Sequence, residues 1–600
     1  MKQILKNFIL IFFSYFLIVR PAFSANITGA NTINSDSTTQ QVYNGDNTSL
    51  TITESSTLSR SGAAPVNING KNNGTLTINS GSTITSGASN AIQGKDQIGL
   101  TLTNSGTINA DGSKAINLLN AESTIITNNS RGIIKSNTNT ITVTENSGTA
   151  NDVIIINSGQ ISAGANSVNS TSNNAIRSES DTNNTTVINN IGGHIHNNNT
   201  SFTVLNSATV FISAVSSATL TNSGTIENKG GVGAYAIALD ESGVTLTLKD
   251  KGKIIGKIDV SGSDHNIKLQ HGAGQGYYYD ISGSGSYSLE DLDGNPVVKG
   301  SAGSVGQAGN EMLDEVLGYK TLSTIKSLNR FKKNKENSKQ DESWGEITTS
   351  LLKRKQDDGT LRLGSETLAF TANVITPTSH GKNLIFSFDT GSQNINQDHD
   401  INKFGFLTGL HFDKIKFGNT DTEVFILGGV DLNSSNRKIL TNTTSTGVLE
   451  ILDDYNNYSF LIGSKFNTNP DISLNFGHSY TPSHEEDKYF EWDKKEIYNG
   501  SISLSDDYEL IKNDNSNLYL SWIADSRIVL HDNTQVFRVN GTRGSYSQKD
   551  ELKKEISLSA SLNYEYKFSK DNTFSLTFDG LQTTQDISGI QTGLNYKYKF

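Results

Sequence analysis

The chain has 600 residues, 18% of them charged, with a formal net charge of −11, Cys 0, Pro 6 and Gly 55. The acidic balance excludes a nucleic-acid binder, which needs surplus Lys and Arg to displace phosphate counterions, and the lack of thiols excludes a disulfide scaffold and any Cys-based metal or redox site. Mean hydropathy is negative, which excludes a helical membrane bundle and leaves a large, polar, β-rich chain.

At the N-terminus, Lys2 and Lys6 precede an apolar run from Phe8 to Val19 broken only by Ser14, and Ala22-Phe23-Ser24 places small residues where a signal peptidase needs them. The expectation is a secretory signal over residues 1–24, cut between Ser24 and Ala25. The apolar run is too short for a helical anchor, since a bilayer takes about 20 such residues.

Composition then divides the chain. Residues 25–300 hold 8 of the 48 aromatics against 34 in residues 301–600, and all three Trp (Trp344, Trp492, Trp522) fall in the second half. The first half is repetitive. Thr75–Gly81, Leu100–Gly106, Ile154–Gly159 and Leu220–Gly224 each end in Asn-Ser-Gly, and the marker Asn is placed at 79, 104, 129, 157, 190 and 222. A second echo, Ala-Ile, falls at 91, 115, 175 and 236; a further Asn-Ser-Gly at Asn146 breaks the register. Short β-branched runs between Gly, Asn and Ser turns, recurring at 25 to 33 residues, predict a parallel β-helix of roughly 8 to 11 coils, with Asn side chains laddered between coils. A disordered Ser/Thr/Asn tract is the competing reading, and it leaves the strand-period Leu, Val and Ile unexplained. Residues 244–300 form the most apolar part of the array.

From 301 to 340 the pattern turns helical. Ser304-Val-Gly-Gln307 fits a capping box, and Met312, Leu313, Val316, Leu317, Leu322, Ile325, Leu328 and Phe331 follow at mostly three- and four-residue spacing, with Lys332, Lys333 and Lys335 at the far end. Gly309 and Gly318 mean such a helix needs tertiary support. A plain linker is the alternative.

Residues 341–600 predict twelve strands, beginning near Trp344, Thr367, Asn383, Lys403, Thr422, Tyr455, Asp471, Ile497, Asn517, Glu555, Thr573 and Gly589. Strands of about 10 residues, alternating apolar and polar, in even number and rich in Tyr, Phe and Trp, describe a transmembrane β-barrel, because only a closed sheet satisfies every backbone group in lipid. The last strand alternates through Leu594, Tyr596 and Tyr598 to a terminal Phe600, the pattern of an outer-membrane assembly signal.

This ordered set resembles the monomeric bacterial autotransporters of type V secretion. The resemblance implies an all-β fold: a right-handed parallel β-helix passenger (25–300, with 244–300 as folding cap), a linker helix in the barrel lumen (301–340) and a 12-stranded antiparallel transmembrane β-barrel (341–600). It also implies residence in the outer membrane of a Gram-negative bacterium with the passenger at the cell surface, and outer-membrane lipid and the barrel assembly machinery as partners. Members that cut themselves do so between two adjacent Asn of the lumen helix. Here the nearest match, Leu328-Asn329-Arg330, puts Lys326 and Ser327 at those positions, so a tethered passenger is expected.

Signals for chemistry are sparse. Ser282-Gly-Ser-Gly-Ser286 lacks the Asp of a serine-protease motif and reads as a flexible turn, and Asn34–Ser37 lacks the Gly of an esterase block. His194 and His196 share a strand face and could ligate a metal, but no third ligand lies nearby, so exposed polar His is the expectation. No P-loop or dinucleotide fingerprint occurs. The function expected is a displayed, non-enzymatic adhesin with no cofactor, meeting an unidentified glycan, matrix or cell-surface ligand. A displayed hydrolase is the alternative, and a porin-like channel a lesser one.

Overall fold

The computed structural model describes residues 24–53, 55–145, 152–164, 173–200, 204–298, 302–305, 313–335, 342–355, 364–378, 382–395, 398–418, 420–530, 534–547 and 554–599. The chain forms two compact units. One holds the repeats to Gly272, with 279–293 and 440–448; the other holds 273–278, 294–439 and 449–600.

The first unit is a parallel β-helix with three faces, two sheets of 11 strands and one of 8. Most strands are four residues long because Gly, Asn or Ser stops each one, and alternation sends every second side chain inward. Leu50, Leu76, Leu102, Ile126, Ile155, Val187, Leu220, Leu246 and Ile267 pair one above the next as a buried column. The Ala-Ile echo builds a second column in another sheet, where Ile92, Ile116, Ile141, Ile176, Val210, Ile237 and Ile258 stack. No single coil could bury these faces, so stability lies in the stacking.

Asn laddering occurs, with a corrected register. Ile78 pairs with Asn104, and the ladder runs through Asn104, Asn128, Asn157, Asn189 and Asn222, so the markers at Asn79, Asn129 and Asn190 are each one residue late. Each ladder Asn is fully buried, and the first four donate Nδ2–H to the Oδ1 of the next, at 2.8, 2.8, 2.8 and 2.7 Å. The same amides donate to the carbonyls of Gly106, Gly132, Gly159, Gly193 and Gly224. A Cβ at Gly224 would strike the carbonyl oxygen of Gly193, which explains why the triplet ends in Gly. Asn146 lies outside the described residues. The Ser282–Ser286 stretch is a fixed turn: Ser282 Oγ donates to Asp259 Oδ1 at 3.1 Å, and Gly283, at φ 105°, has no room for a side chain beside Val260.

In the second unit, twelve antiparallel strands close into a barrel, each containing one of the predicted starts. Closure is made by Glu342–Arg354 against Ile587–Lys599, in register from Glu342↔Lys599 to Arg354↔Ile587. Three features differ from expectation. Four strands run well past 10 residues: His399–Phe417, Thr420–Thr441, Val448–Phe466 and Lys495–Lys512. A separate four-stranded sheet (His484–Glu486, Phe490–Trp492, Thr534–Val539, Thr542–Ser547) arises from two of the interstrand loops. The helix spans Leu313–Lys335, and Ser304, expected to cap it, closes a short strand, Ala302–Ser304. Met312 lies outside the described residues. Among the described residues no helix is long and apolar enough to cross a membrane.

Candidate functional site

The barrel wall has two faces of opposite character. Outward positions carry Ile347, Leu351, Phe370, Phe388, Phe404, Ile426, Leu474, Ile502, Leu558, Phe578 and Ile590, each a large apolar side chain 40% exposed or more. A soluble protein does not expose such a belt, whereas lipid requires it. Leu594, Tyr596 and Tyr598 stand in this outward set at 47, 46 and 41% exposure, and Phe600 lies outside the described residues. The protein is an outer-membrane β-barrel.

Inward positions carry charge, and the helix occupies the lumen between them. Lys320 Nζ reaches Asp431 Oδ1 at 2.7 Å and Ser459 Oγ at 3.3 Å. Arg330 pairs with Glu346 at 2.5 Å and Asp579 at 3.4 Å, Ser327 Oγ donates to Glu346 Oε2 at 2.6 Å, and Asn373 donates to Ser327 Oγ at 3.0 Å. Lys465 Nζ donates to Asn329 Oδ1 at 2.7 Å. These partners come from strands on opposite sides of the barrel, which centres the helix. Apolar contact adds to the charges: Leu317, Leu328 and Phe331 join Trp344, Ile385, Leu407, Phe425 and Leu461 in one buried cluster, while Leu322 and Ile325 meet Ile523. Val316 is half-buried beside a gap of about 150 Å3 left along the helix. Gly318, a poor helix former, is where the Arg527 guanidinium crosses, and a Cβ there would collide with it. Lys326 and Ser327 are both buried in this network.

The segment before the helix is held as firmly. Val298 and Val305 pack with Ile439, Ile451, Phe490, Trp492, Phe537 and Val539. Buried Arg437 donates to the carbonyl of Val305, pairs with Glu486 and lies 5.2 Å from the Phe490 ring. Sequence reading missed these partners. Their signal was a charge at alternate positions of otherwise apolar strands, as at Glu346, Asp389, Asp431 and Asp579.

In the β-helix, His194 and His196 do share an outward face, with rings 4.4 Å apart. His194 is half-buried and its Nε2 lies 3.0 Å from Glu227 Oε2. His196 departs from the expected exposed state: it is 3% exposed, and burial, with His194 and Lys229 nearby, pushes its pKa down to about 3. Among the described residues, no group of three His, Cys, Asp or Glu could hold a metal ion. Ser24 and Ala25 begin the first strand, Ser24–Ile27, which pairs with Gln40–Tyr43.

No family model and no curated protein match the chain. Solved structures similar to its barrel half include the translocator domain of NalP from Neisseria meningitidis (11% identity, 48% of this chain and 95% of that one, TM-score 0.33). The transport unit of AIDA-I from Escherichia coli (11%, 44% and 92%, 0.30) and the β domain of the Bordetella autotransporter BrkA (7%, 43% and 99%, 0.29) are also similar. Likenesses at these scores carry no functional weight, which rests on the closed wall, the filled lumen and the repeat array of this chain. Along the chain a parallel β-helix, a lumen helix and a closed 12-stranded barrel follow one another in the order the sequence led one to expect.

Proposed function

We propose that this protein places its β-helix on the bacterial surface and uses it there as a non-enzymatic adhesive rod. The observation that carries the reading is the ion-paired helix inside the closed barrel. A pore occupied by a helix that Asp431, Glu346 and Asp579 hold from several sides is poorly suited to nutrient passage, whereas it tethers whatever precedes the helix in the chain. The β-helix offers long outward faces of short polar side chains, which suit many weak contacts multiplied by display on one cell.

Export follows from the signal over residues 1–24, with cleavage after Ser24, and insertion uses the barrel assembly machinery acting on the last strand. The passenger stays attached, because Lys326 and Ser327 stand where self-cutting relatives carry Asn. Expression in a non-adherent host tests the reading. Intact cells should gain attachment to epithelial monolayers or matrix-coated surfaces, and cells carrying only the barrel half should not. Equal attachment by both would overturn it.

A further inference from the structure

The buried column from Leu50 to Leu246 runs through eight neighbouring strands, and each column residue is flanked by two outward side chains. Of these sixteen side chains, eleven are Thr, four are Ile and one is Ser. None is charged, aromatic or buried. The outward positions of the other two sheets include Lys95, Arg177 and Asp240 in one and Lys135, Glu227 and Lys253 in the other. Strand propensity favours Thr on all three sheets alike, so it does not explain why one alone is free of charge over this span.

The four Ile form a patch in the middle of the face. Ile125 lies beside Ile154, and Ile156 beside Ile188, on the fourth to sixth of the eight strands, with Thr on the strands to either side. Ile125 is 38% exposed. An apolar centre within a polar surround is the anatomy of a protein–protein contact. Thr and Ile are branched at Cβ and restricted at χ1, so docking them costs little side-chain entropy. Thr219 Oγ1 donates to Thr186 Oγ1 at 3.1 Å, one hydroxyl of the face meeting the next.

We infer that this face pairs with the same face of a second copy displayed on a neighbouring cell. A two-fold contact through the Ile patch sets Ile on Ile and Thr on Thr, so one surface serves both partners. Charge points the same way. Residues 25–300 carry 14 basic and 20 acidic residues, so two passengers have like net charge and approach at least cost through a face that carries none. Eight strands at about 4.8 Å by four residues at about 3.3 Å give about 500 Å2 per copy, or about 1,000 Å2 in the pair. That is the low end for a specific contact, so a single pair is weak and many displayed copies act together. The inference rests on the surface display in the adhesive reading and names the partner of one face.

The test uses cells displaying the full-length protein, matched in surface antibody labelling, mixed with differently coloured cells that carry only the barrel half. Displaying cells should cluster with one another and leave the others dispersed. The clusters should persist in about 1 M salt, where the Debye length is about 3 Å. Ile154→Lys with Ile188→Lys should slow clustering about tenfold or more, because each contact must then desolvate unpaired charge. Thr83→Lys, on another sheet of the β-helix, should change nothing. Cells carrying Ile154→Glu with Ile188→Glu should also fail to cluster alone, yet cluster when mixed with the Lys cells, which misfolded passengers could not do. Equal recruitment of barrel-only cells, dispersal by salt, indifference to the Lys variant, an equal effect of Thr83→Lys, or no rescue on mixing overturns the proposal. Attachment to matrix-coated surfaces and epithelial monolayers is measured alongside. Attachment without clustering overturns the pairing and leaves the adhesive reading standing, whereas clustering without attachment overturns that reading and supports the pairing.

Discussion

Lys320 of the lumen helix and Asp431 of the barrel wall form an ion pair at 2.7 Å, with side chains 9% and 2% exposed. Two charges this buried are worth most as a pair, because removing either leaves the other uncompensated. Lys320→Met should therefore destabilise the folded barrel by about 3 kcal/mol. Adding Asp431→Leu should restore most of the loss. Heat-modifiable gel migration across a temperature series measures both, and a double variant as weak as the single one would refute the pairing argument.

The buried Asn ladder makes a sharper demand. Asn157→Leu removes a donor to Asn189 and an acceptor for Asn128 in one step. An unmet buried amide costs about 1 to 3 kcal/mol, so this variant should be clearly more protease-sensitive than Thr127→Ala on the outer side of an adjacent coil. Equal sensitivity of the two variants would show that the ladder adds no stability.

Acid should loosen the β-helix through two histidines. The pKa of His196 is pushed down to about 3, and that of His271, buried against Tyr279 at 2.9 Å, is likewise pushed to about 3 by burial. In the unfolded chain each takes up its proton near pH 6.5. Stability from their neutral burial is thus fully present above that pH and is lost progressively as pH falls from about 6.5 towards 3. Urea midpoints measured on the full-length protein from pH 7.5 to 4 should fall, and His271→Gln should flatten the fall. A flat wild-type profile would contradict the assignment.

External protease on intact cells should digest residues 25–300 and spare a barrel fragment. If the repeats survive until the outer membrane is opened, the surface assignment fails.

Tyr596→Ser with Tyr598→Ser should reduce assembled barrel, since both side chains belong to the exposed apolar face of the closing strand. Deleting Phe600 should act the same way. Normal yield of heat-modifiable protein in both variants would remove the terminal strand from the assembly signal.

No barrel fragment beginning at Ser327 should appear in outer-membrane or culture fractions of cells lacking surface proteases. Ser327 is committed to Glu346 and Asn373, and Asn329 to Lys465. Mass spectrometry of such a fragment would overturn the tethered state.

The sequence by itself determined the β-helix, the helix and all twelve barrel strands, because each depends on local periodicity: alternation for strands, three- and four-residue spacing for the helix. It could not determine the ladder register, since Thr75-Leu-Thr-Ile-Asn79 and Thr101-Leu-Thr-Asn104 both precede Ser-Gly, and only pairing across coils chooses Ile78 rather than Asn79 as the partner of Asn104. A slip of one residue reverses which side chains are buried. Nor could it join Lys320 to Asp431, 111 residues away, or Arg437 to Val305, 132 residues away. It read His196 as an exposed polar residue, because local pattern places a side chain on a face but not what covers that face. Long-range partners and burial are decided by closure of the barrel and stacking of the coils, and neither is a property of any short segment.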